Sequence, residues 1–108
     1  MPIRDTRQSQ KKEVKCHLKV SGRVTAVGFR FFVVEKAQSL GLFGWVANSN
    51  QSFWSSSGEV EVMVEGPRGD IEKLIEYCRQ GPPLAKVNKI EEEWGKATGE
   101  FENFKVKM

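Results

Sequence analysis

Two stretches of alternating apolar and polar residues, each followed by a stripe with helical spacing, constrain the fold of this chain most. The first alternation runs from Val14 to Val20 and the second from Glu59 to Glu65. Strict alternation predicts a strand with one buried face. Helical spacing follows in both places, first at Phe29, Val33, Ala37 and Leu40, then at Ile71, Leu74, Ile75 and Cys78. The chain is therefore predicted to contain two strand–helix units.

Three further strands complete the predicted order. Leu42–Ala47 is apolar and ends at Asn48, and the broken alternation between Val87 and Ile90 indicates a bulge or a change of face. Phe101, Phe104 and Val106 suggest a short final strand. The order β-α-β-β-α-β plus a terminal strand predicts an α+β, ferredoxin-like, split βαβ fold. Its sheet is expected to be antiparallel, with both helices on one face and a short extra C-terminal strand.

The length and the charge distribution of the chain limit the number of domains and the kinds of partner that it can have. A chain of 108 residues supports one small domain, and no apolar run approaches the ~20 residues needed to cross a membrane. The start lacks a hydrophobic signal region, which predicts a cytoplasmic protein. Of the net charge of +3, residues 1–13 carry +2 and the body the remaining +1. We therefore expect a flexible basic extension at 1–13, a domain at 14–108, and no dedicated nucleic-acid surface.

Ser21–Arg30 joins the first strand to the first helix and is the best candidate site. A turn at this place presents free backbone N–H groups that together can hold an anion. Arg30 stands at the positive end of the helix dipole, where helix stability alone disfavours a cation. A bound anion reverses that sign, and the guanidinium fork suits two phosphate oxygens. The alternative is a plain connector whose arginine pairs with a surface carboxylate.

Other residues with reactive side chains are less favourable candidates. His17 has lysine neighbours and no obvious carboxylate partner, so it is expected to be an exposed sheet residue. Cys16 and Cys78 fall on apolar stripes and are expected to be reduced core residues. Trp45 is expected to pack in the core, and the run Glu91–Glu93 is expected to be a solvated strand end. Asn48 remains as a neutral amide that can orient water, if the fold brings it to Arg30.

A family signature is recognisable in residues spread over nearly the whole domain: Gly22-Arg23-Val24-Thr25-Ala26-Val27-Gly28-Phe29-Arg30, Ala37, Leu40-Gly41-Leu42, Gly44-Trp45-Val46, Asn48, Gly58, Val60, Val62, Glu65-Gly66, Gly81-Pro82, Ala85, Val87 and Phe104. This pattern resembles the acylphosphatase family. The resemblance implies metal-independent hydrolysis of the carboxyl-phosphate bond of acyl phosphates on a ferredoxin-like fold. It implies no cofactor, and a small-molecule acyl phosphate is the expected partner of a monomer, without nucleic acid or membrane.

The resemblance also implies roles for individual residues. Arg30 would bind the phosphate and Asn48 would orient the attacking water. The backbone amides of the loop would cradle the phosphoryl oxygens, at Arg23, Val24, Thr25, Ala26, Val27 and Gly28. No metal ligand is implied.

Two departures from the family pattern bear on this expectation. The family usually has Gln-Gly where this chain has Thr25-Ala26, and alanine is strained if its φ is positive. The loop between Asn48 and Gly58 is longer than usual and carries Phe53 and Trp54, which either cover the site or pack on the sheet edge. The alternative function is therefore a catalytically weak or inactive module that binds an anion or a partner.

Overall fold

The computed structural model describes residues 12–51 and 57–107, except for the side chains of residues 50 and 51. Within these ranges five strands and two helices follow in the order β1 (Glu13–Arg23), α1 (Phe29–Ser39), β2 (Phe43–Gln51), β3 (Ser57–Pro67), α2 (Arg68–Gln80), β4 (Lys86–Lys96) and β5 (Phe104–Val106). The strands form one sheet in the order β4-β1-β3-β2-β5. β1 to β4 pair antiparallel, and β5 joins β2 in parallel. The ferredoxin-like prediction, with its extra C-terminal strand, is confirmed.

The core lies between the sheet and the two helices. Alternate residues of β1 and β3 have no solvent exposure, which confirms the alternation: Cys16, Leu18, Val20, Val60, Val62 and Val64. The helices contact each other and this same face, through the predicted stripes. Cys16 and Cys78 are free and buried, as predicted. Burial raises the pKa of the Cys78 thiol to about 12, which makes it a poor nucleophile.

Each helix ends at or next to a glycine of positive φ, Gly41 after α1 and Gly81 after α2. Gly41 has a φ of 70°, and the Leu42 N–H donates to the Ala37 carbonyl at 2.9 Å, so α1 ends with a left-handed glycine. Asp70 is a residue type that commonly caps helices, but it does not cap α2. Pro67 occupies the N-cap position with ψ 137°, so Asp70 lies inside the first turn. Its negative charge still favours the helix dipole there.

The sheet face without helices corrects two predictions. Trp45 is not a core residue, because its neighbours Gly44 and Val46 face the helices and alternation turns Trp45 outward. His17 is half-buried and lies 2.5 Å from a Glu61 oxygen, measured from its Nε2 atom. This carboxylate was missed because it lies diagonally across β3, where Met63 is the residue directly opposite His17.

The bulge in β4 is present, since Ser21 pairs with Lys89 and Gly22 with Val87. β1 begins at Glu13, one residue before the expected domain start. Residues 1–11 of the expected extension, and Phe53 and Trp54, lie outside the described residues. Within the described part of the chain, neither helix is long and apolar enough to cross a membrane.

Candidate functional site

The connection between β1 and α1 is shorter than the sequence suggested. β1 continues through Arg23, which pairs with Ser57 on one side and Lys86 on the other. Arg23 therefore belongs to the strand, and only residues 24–28 form the loop. Gly28 occupies the N-cap position of α1 with a φ of 78°, and its carbonyl accepts the Phe32 N–H at 3.0 Å. The loop thus delivers the chain directly into the helix N-terminus.

Gly22 fixes where this loop leaves the sheet. A Cβ atom built at Gly22 would lie 2.2 Å from the carbonyl oxygen of Lys86, so any side chain would push β4 away. The close approach coincides with the bulge in β4. Although the sequence pattern included Gly22, its structural reason was not predicted. A glycine within an otherwise regular strand was the available signal.

Ala26 adopts the strained conformation that the sequence analysis considered. Its φ is 58°, and it is the one non-glycine residue with positive φ among residues 12–51 and 57–107. For an L-residue with a Cβ atom this conformation costs about 1–2 kcal/mol. Ala26 itself is exposed, whereas the preceding Thr25 is 1% exposed. The buried threonine therefore anchors a loop whose tip is strained.

The loop leaves several N–H groups available at the start of a helix. Across the described residues, no backbone carbonyl accepts the N–H of Ala26, Val27 or Gly28. The positive end of the α1 dipole adds to their field. Consecutive donors at such a place are suited to an anion. The geometry is thus compatible with an anion cradle at Ala26, Val27 and Gly28. The predicted cradle began at Arg23, but Arg23 lies in β1 and the Val24 N–H donates to the Gly22 carbonyl at 3.0 Å.

Arg30 is the second residue of α1 and is partly exposed. The alternative interpretation required a surface carboxylate as its partner. Within the described ranges no carboxylate forms an ion pair with Arg30. Arg68, which stands at the start of α2, instead pairs with Glu72 at 3.5 Å. The two helix-start arginines therefore differ in their surroundings.

The sheet topology brings Asn48 to the same end as the loop. β1 and β2 both pair antiparallel with β3, where Val60 lies opposite Val20 on one side and Asn48 on the other. Two strand spacings, roughly 10 Å, therefore separate the backbones of Val20 and Asn48. Asn48 shares the helix-facing side of β2 with Val46, and its Oδ1 atom is shielded from solvent. Arg30, the loop and Asn48 thus share one end of the molecule.

The sequence suggested that the second strand ends at Asn48, but in the structure it does not end there. β2 continues to Gln51, and a bulge at Ser49 follows Asn48, since Asn48 pairs with Val60 and Asn50 with Glu59. The hydroxyl of Ser49 donates to the Glu59 carboxylate at 2.7 Å. Bulges beside functional sites commonly redirect a side chain. His17, in contrast, lies mid-strand on the opposite sheet face and takes no part in this grouping.

Comparison with known proteins agrees with this fold. The acylphosphatase family model matches residues 16–106. An acylphosphatase of Thermococcus kodakarensis is 42% identical over 95 residues, which cover 88% of this chain and 97% of that relative. The crystal structure of acylphosphatase from Bacillus subtilis superposes with a TM-score of 0.79 at 30% identity, covering 88% of this chain and 99% of that one. An acylphosphatase structure from Coxiella burnetii gives 0.77 at 34% identity, with 95% and 100% coverage. The chain belongs to the acylphosphatase family.

Proposed function

We propose that this protein hydrolyses acyl phosphates at the end of the sheet formed by the 24–28 loop, Arg30 and Asn48. The observation that carries the proposal is that Asn48, on β2, lies at the same end of the sheet as the adjacent 24–28 loop and Arg30. The family implies acyl phosphate hydrolysis, and the proposal assigns that chemistry to particular residues.

The loop and Arg30 bind the phosphoryl group. The amides of Ala26, Val27 and Gly28 have no backbone acceptor among the described residues and can donate to its oxygens. Arg30 can donate two parallel hydrogen bonds to two of those oxygens. As the bond between phosphorus and the acyl oxygen lengthens, negative charge redistributes over the phosphoryl oxygens and the leaving carboxylate. The fixed N–H donors stabilise this charge.

Asn48 orients the attacking water. A carboxamide accepts a hydrogen bond from water without placing a negative charge beside the phosphate. The water oxygen forms a bond to phosphorus while the bond from phosphorus to the acyl oxygen breaks. The electron pair of the broken bond leaves with the carboxylate, and the proton of the water passes to a phosphate oxygen. The products are a carboxylate and inorganic phosphate, and no step requires a basic side chain.

The test is hydrolysis of benzoyl phosphate by wild type, Arg30→Ala and Asn48→Ala. We expect Arg30→Ala to lower kcat/KM by about 10³-fold, with a raised KM, because both binding and charge stabilisation are lost. Asn48→Ala should lower kcat by about 10²-fold with KM nearly unchanged, because water positioning contributes only to the reaction step. The assay is run with and without a metal chelator, and equal rates are expected.

Two matched controls are available in the chain. Arg68→Ala removes an arginine from the start of the other helix, at the opposite end of the sheet, and Asn103→Ala removes an exposed asparagine just before β5. Both should retain wild-type kcat/KM within about twofold, since surface substitutions rarely act on a remote site. Activity that survives Arg30→Ala or Asn48→Ala would contradict the residue assignment. Phosphate binding without wild-type turnover would instead support the alternative, a non-catalytic anion-binding module.

A further inference from the structure

We infer that the protein has a second ligand site, for a nucleoside monophosphate, on the sheet face without helices. An open groove of about 410 Å³ lies there, lined among others by Trp45, Phe101, Asn103, Lys105 and Lys107. Its volume falls in the range of small-molecule sites. It lies on the face of β2 opposite Asn48 and three residues along the strand, so it is separate from the proposed catalytic site.

The walls of the groove are held by the backbone. The Gly44 N–H donates to the Asn103 carbonyl at 2.8 Å, and the Lys107 N–H donates to the Val46 carbonyl at 2.8 Å. β5 lies between these two bonds, paired with β2. The segment 100–103 and β5 are thereby fixed beside Trp45. The groove is therefore preformed, which reduces the ordering needed on binding.

Trp45 supplies a surface for a base. Its ring faces away from the core, and the Lys107 ammonium lies 4.5 Å from the ring centroid. Trp45 is partly exposed, and a cation over a partly exposed aromatic ring is weakly held, so a planar base can replace it. Stacking of a base on tryptophan is favourable for any base, because every base has a π-face. The displaced Lys107 remains in the groove.

The charged groups suit the other two parts of a nucleotide. Across the described residues neither Lys105 nor Lys107 forms an ion pair with a carboxylate, so both are available for a phosphate. Glu102 is exposed at the rim, and carboxylates commonly accept hydrogen bonds from ribose hydroxyls. A ring, a sugar and a single phosphate thus each meet a complementary group. A longer polyanion would also meet Glu100 and Glu102, which disfavours it.

The test is an NMR titration of the full chain with adenosine monophosphate at millimolar concentration. We expect the indole N–H signal of Trp45, assigned through Trp45→Phe, to shift together with amides of residues 101–107. The indole N–H of Trp94, which donates to Glu92 at 3.0 Å, is an internal reference and should not move. The Trp45 shift should persist in Arg30→Ala, because the two sites are independent. Absence of a Trp45 shift overturns the inference.

Variants of the groove residues and a fragment of the ligand test whether adenosine monophosphate binds through the proposed contacts. Trp45→Ala should weaken adenosine monophosphate binding by about tenfold or more, since stacking is lost. Lys107→Ala and Lys105→Ala should each weaken it by about 3- to 10-fold through loss of a charge-assisted contact. Lys19→Ala, which removes an exposed lysine outside the groove, should have no effect. An equal Trp45 shift with ribose phosphate, or equal weakening by Lys19→Ala, would show non-specific anion binding and refute the site.

Discussion

Two loops of this protein each present backbone N–H groups beside a residue of positive φ, but only one of the two holds an anion of its own. In the segment after β4, the N–H groups of Thr98 and Gly99 donate to the two oxygens of Glu65, at 2.8 and 3.0 Å. Gly99 has a φ of 73°. In the 24–28 loop, Ala26 and Gly28 also have positive φ, and the N–H groups of Ala26, Val27 and Gly28 have no backbone acceptor among the described residues. Consecutive amides around a left-handed residue favour an anion in both places.

Each loop also has a cation beside it. The Lys15 ammonium lies 3.6 Å from Glu65, which is fully buried. Arg30 follows the other loop and is partly exposed. The difference between the loops is thus the source of the anion. In the loop at Thr98 and Gly99 the anion is the Glu65 side chain, whose hydrogen bonds hold this segment against the sheet. The 24–28 loop faces solvent and is proposed to bind phosphate. The same donors stabilise the fold in one loop and are available for a ligand in the other.

The largest effect on stability is expected from removing the Glu65 carboxylate from the loop at Thr98 and Gly99, here called the filled loop. Glu65→Gln should lower the free energy of unfolding by about 2–4 kcal/mol, because an amide group replaces an acceptor and leaves buried donors unpaired. Urea unfolding at neutral pH measures this change. Glu72→Gln is the matched control, since its pair with Arg68 is exposed and should contribute less than about 0.5 kcal/mol. A loss in Glu65→Gln no larger than in Glu72→Gln would show that the filled loop is not a structural anchor.

The second prediction concerns pH. Burial raises the pKa of Glu65, but the hydrogen bonds from Thr98 and Gly99, with Lys15 nearby, outweigh it, so the pKa lies below its ordinary value of 4.5. A lowered pKa means that the folded state favours the carboxylate. The contribution of Glu65 to the free energy of unfolding is therefore complete when the pH is above the ordinary glutamate pKa. It is lost as the pH falls through the pKa of the folded state.

The measurement is the difference in unfolding free energy between wild type and Glu65→Gln across acidic pH. We expect this difference to be constant near neutrality and to shrink as the pH falls below 4.5. Other carboxylates titrate equally in both proteins and cancel in the difference. A difference that stays constant throughout would mean that Glu65 does not act through its charge.

The comparison between the loops also shows what the sequence could predict. The alternation in β1 and β3 and the helical stripes specify the fold, because they are local and each element buries one face. The Glu65 anchor was not predicted, since its donor Thr98 lies 33 residues away in the sequence. Trp45 was wrongly placed because an uninterrupted apolar run does not tell which face is buried. The sequence analysis considered a positive φ at Ala26 but could not establish it. The position of Asn48 at the same end of the sheet as the loop depends on the strand order, which the sequence pattern does not give.

The third prediction alters the left-handed residue of the filled loop. A Cβ atom at Gly99 would meet nothing within 4 Å, so Gly99→Ala tests backbone strain alone. It should lower the unfolding free energy by about 1 kcal/mol. Gly95→Ala is the control, because its Cβ also meets nothing and its φ is not in the left-handed region. Equal effects of the two substitutions would contradict a role for the positive φ.

The smallest change, Ala26→Gly, tests the open loop and is the reverse of Gly99→Ala. Removing the Cβ atom should raise the unfolding free energy by about 0.5–1 kcal/mol, since relief of strain exceeds the added freedom of the unfolded chain. Ala97→Gly, at a position without positive φ, should instead destabilise the protein. If the left-handed conformation is the one that binds phosphate, Ala26→Gly should also tighten inorganic phosphate binding about 2- to 5-fold, since glycine populates it more readily. Stabilisation without tighter binding would separate the strain from the anion site, because the bound loop would then have another conformation.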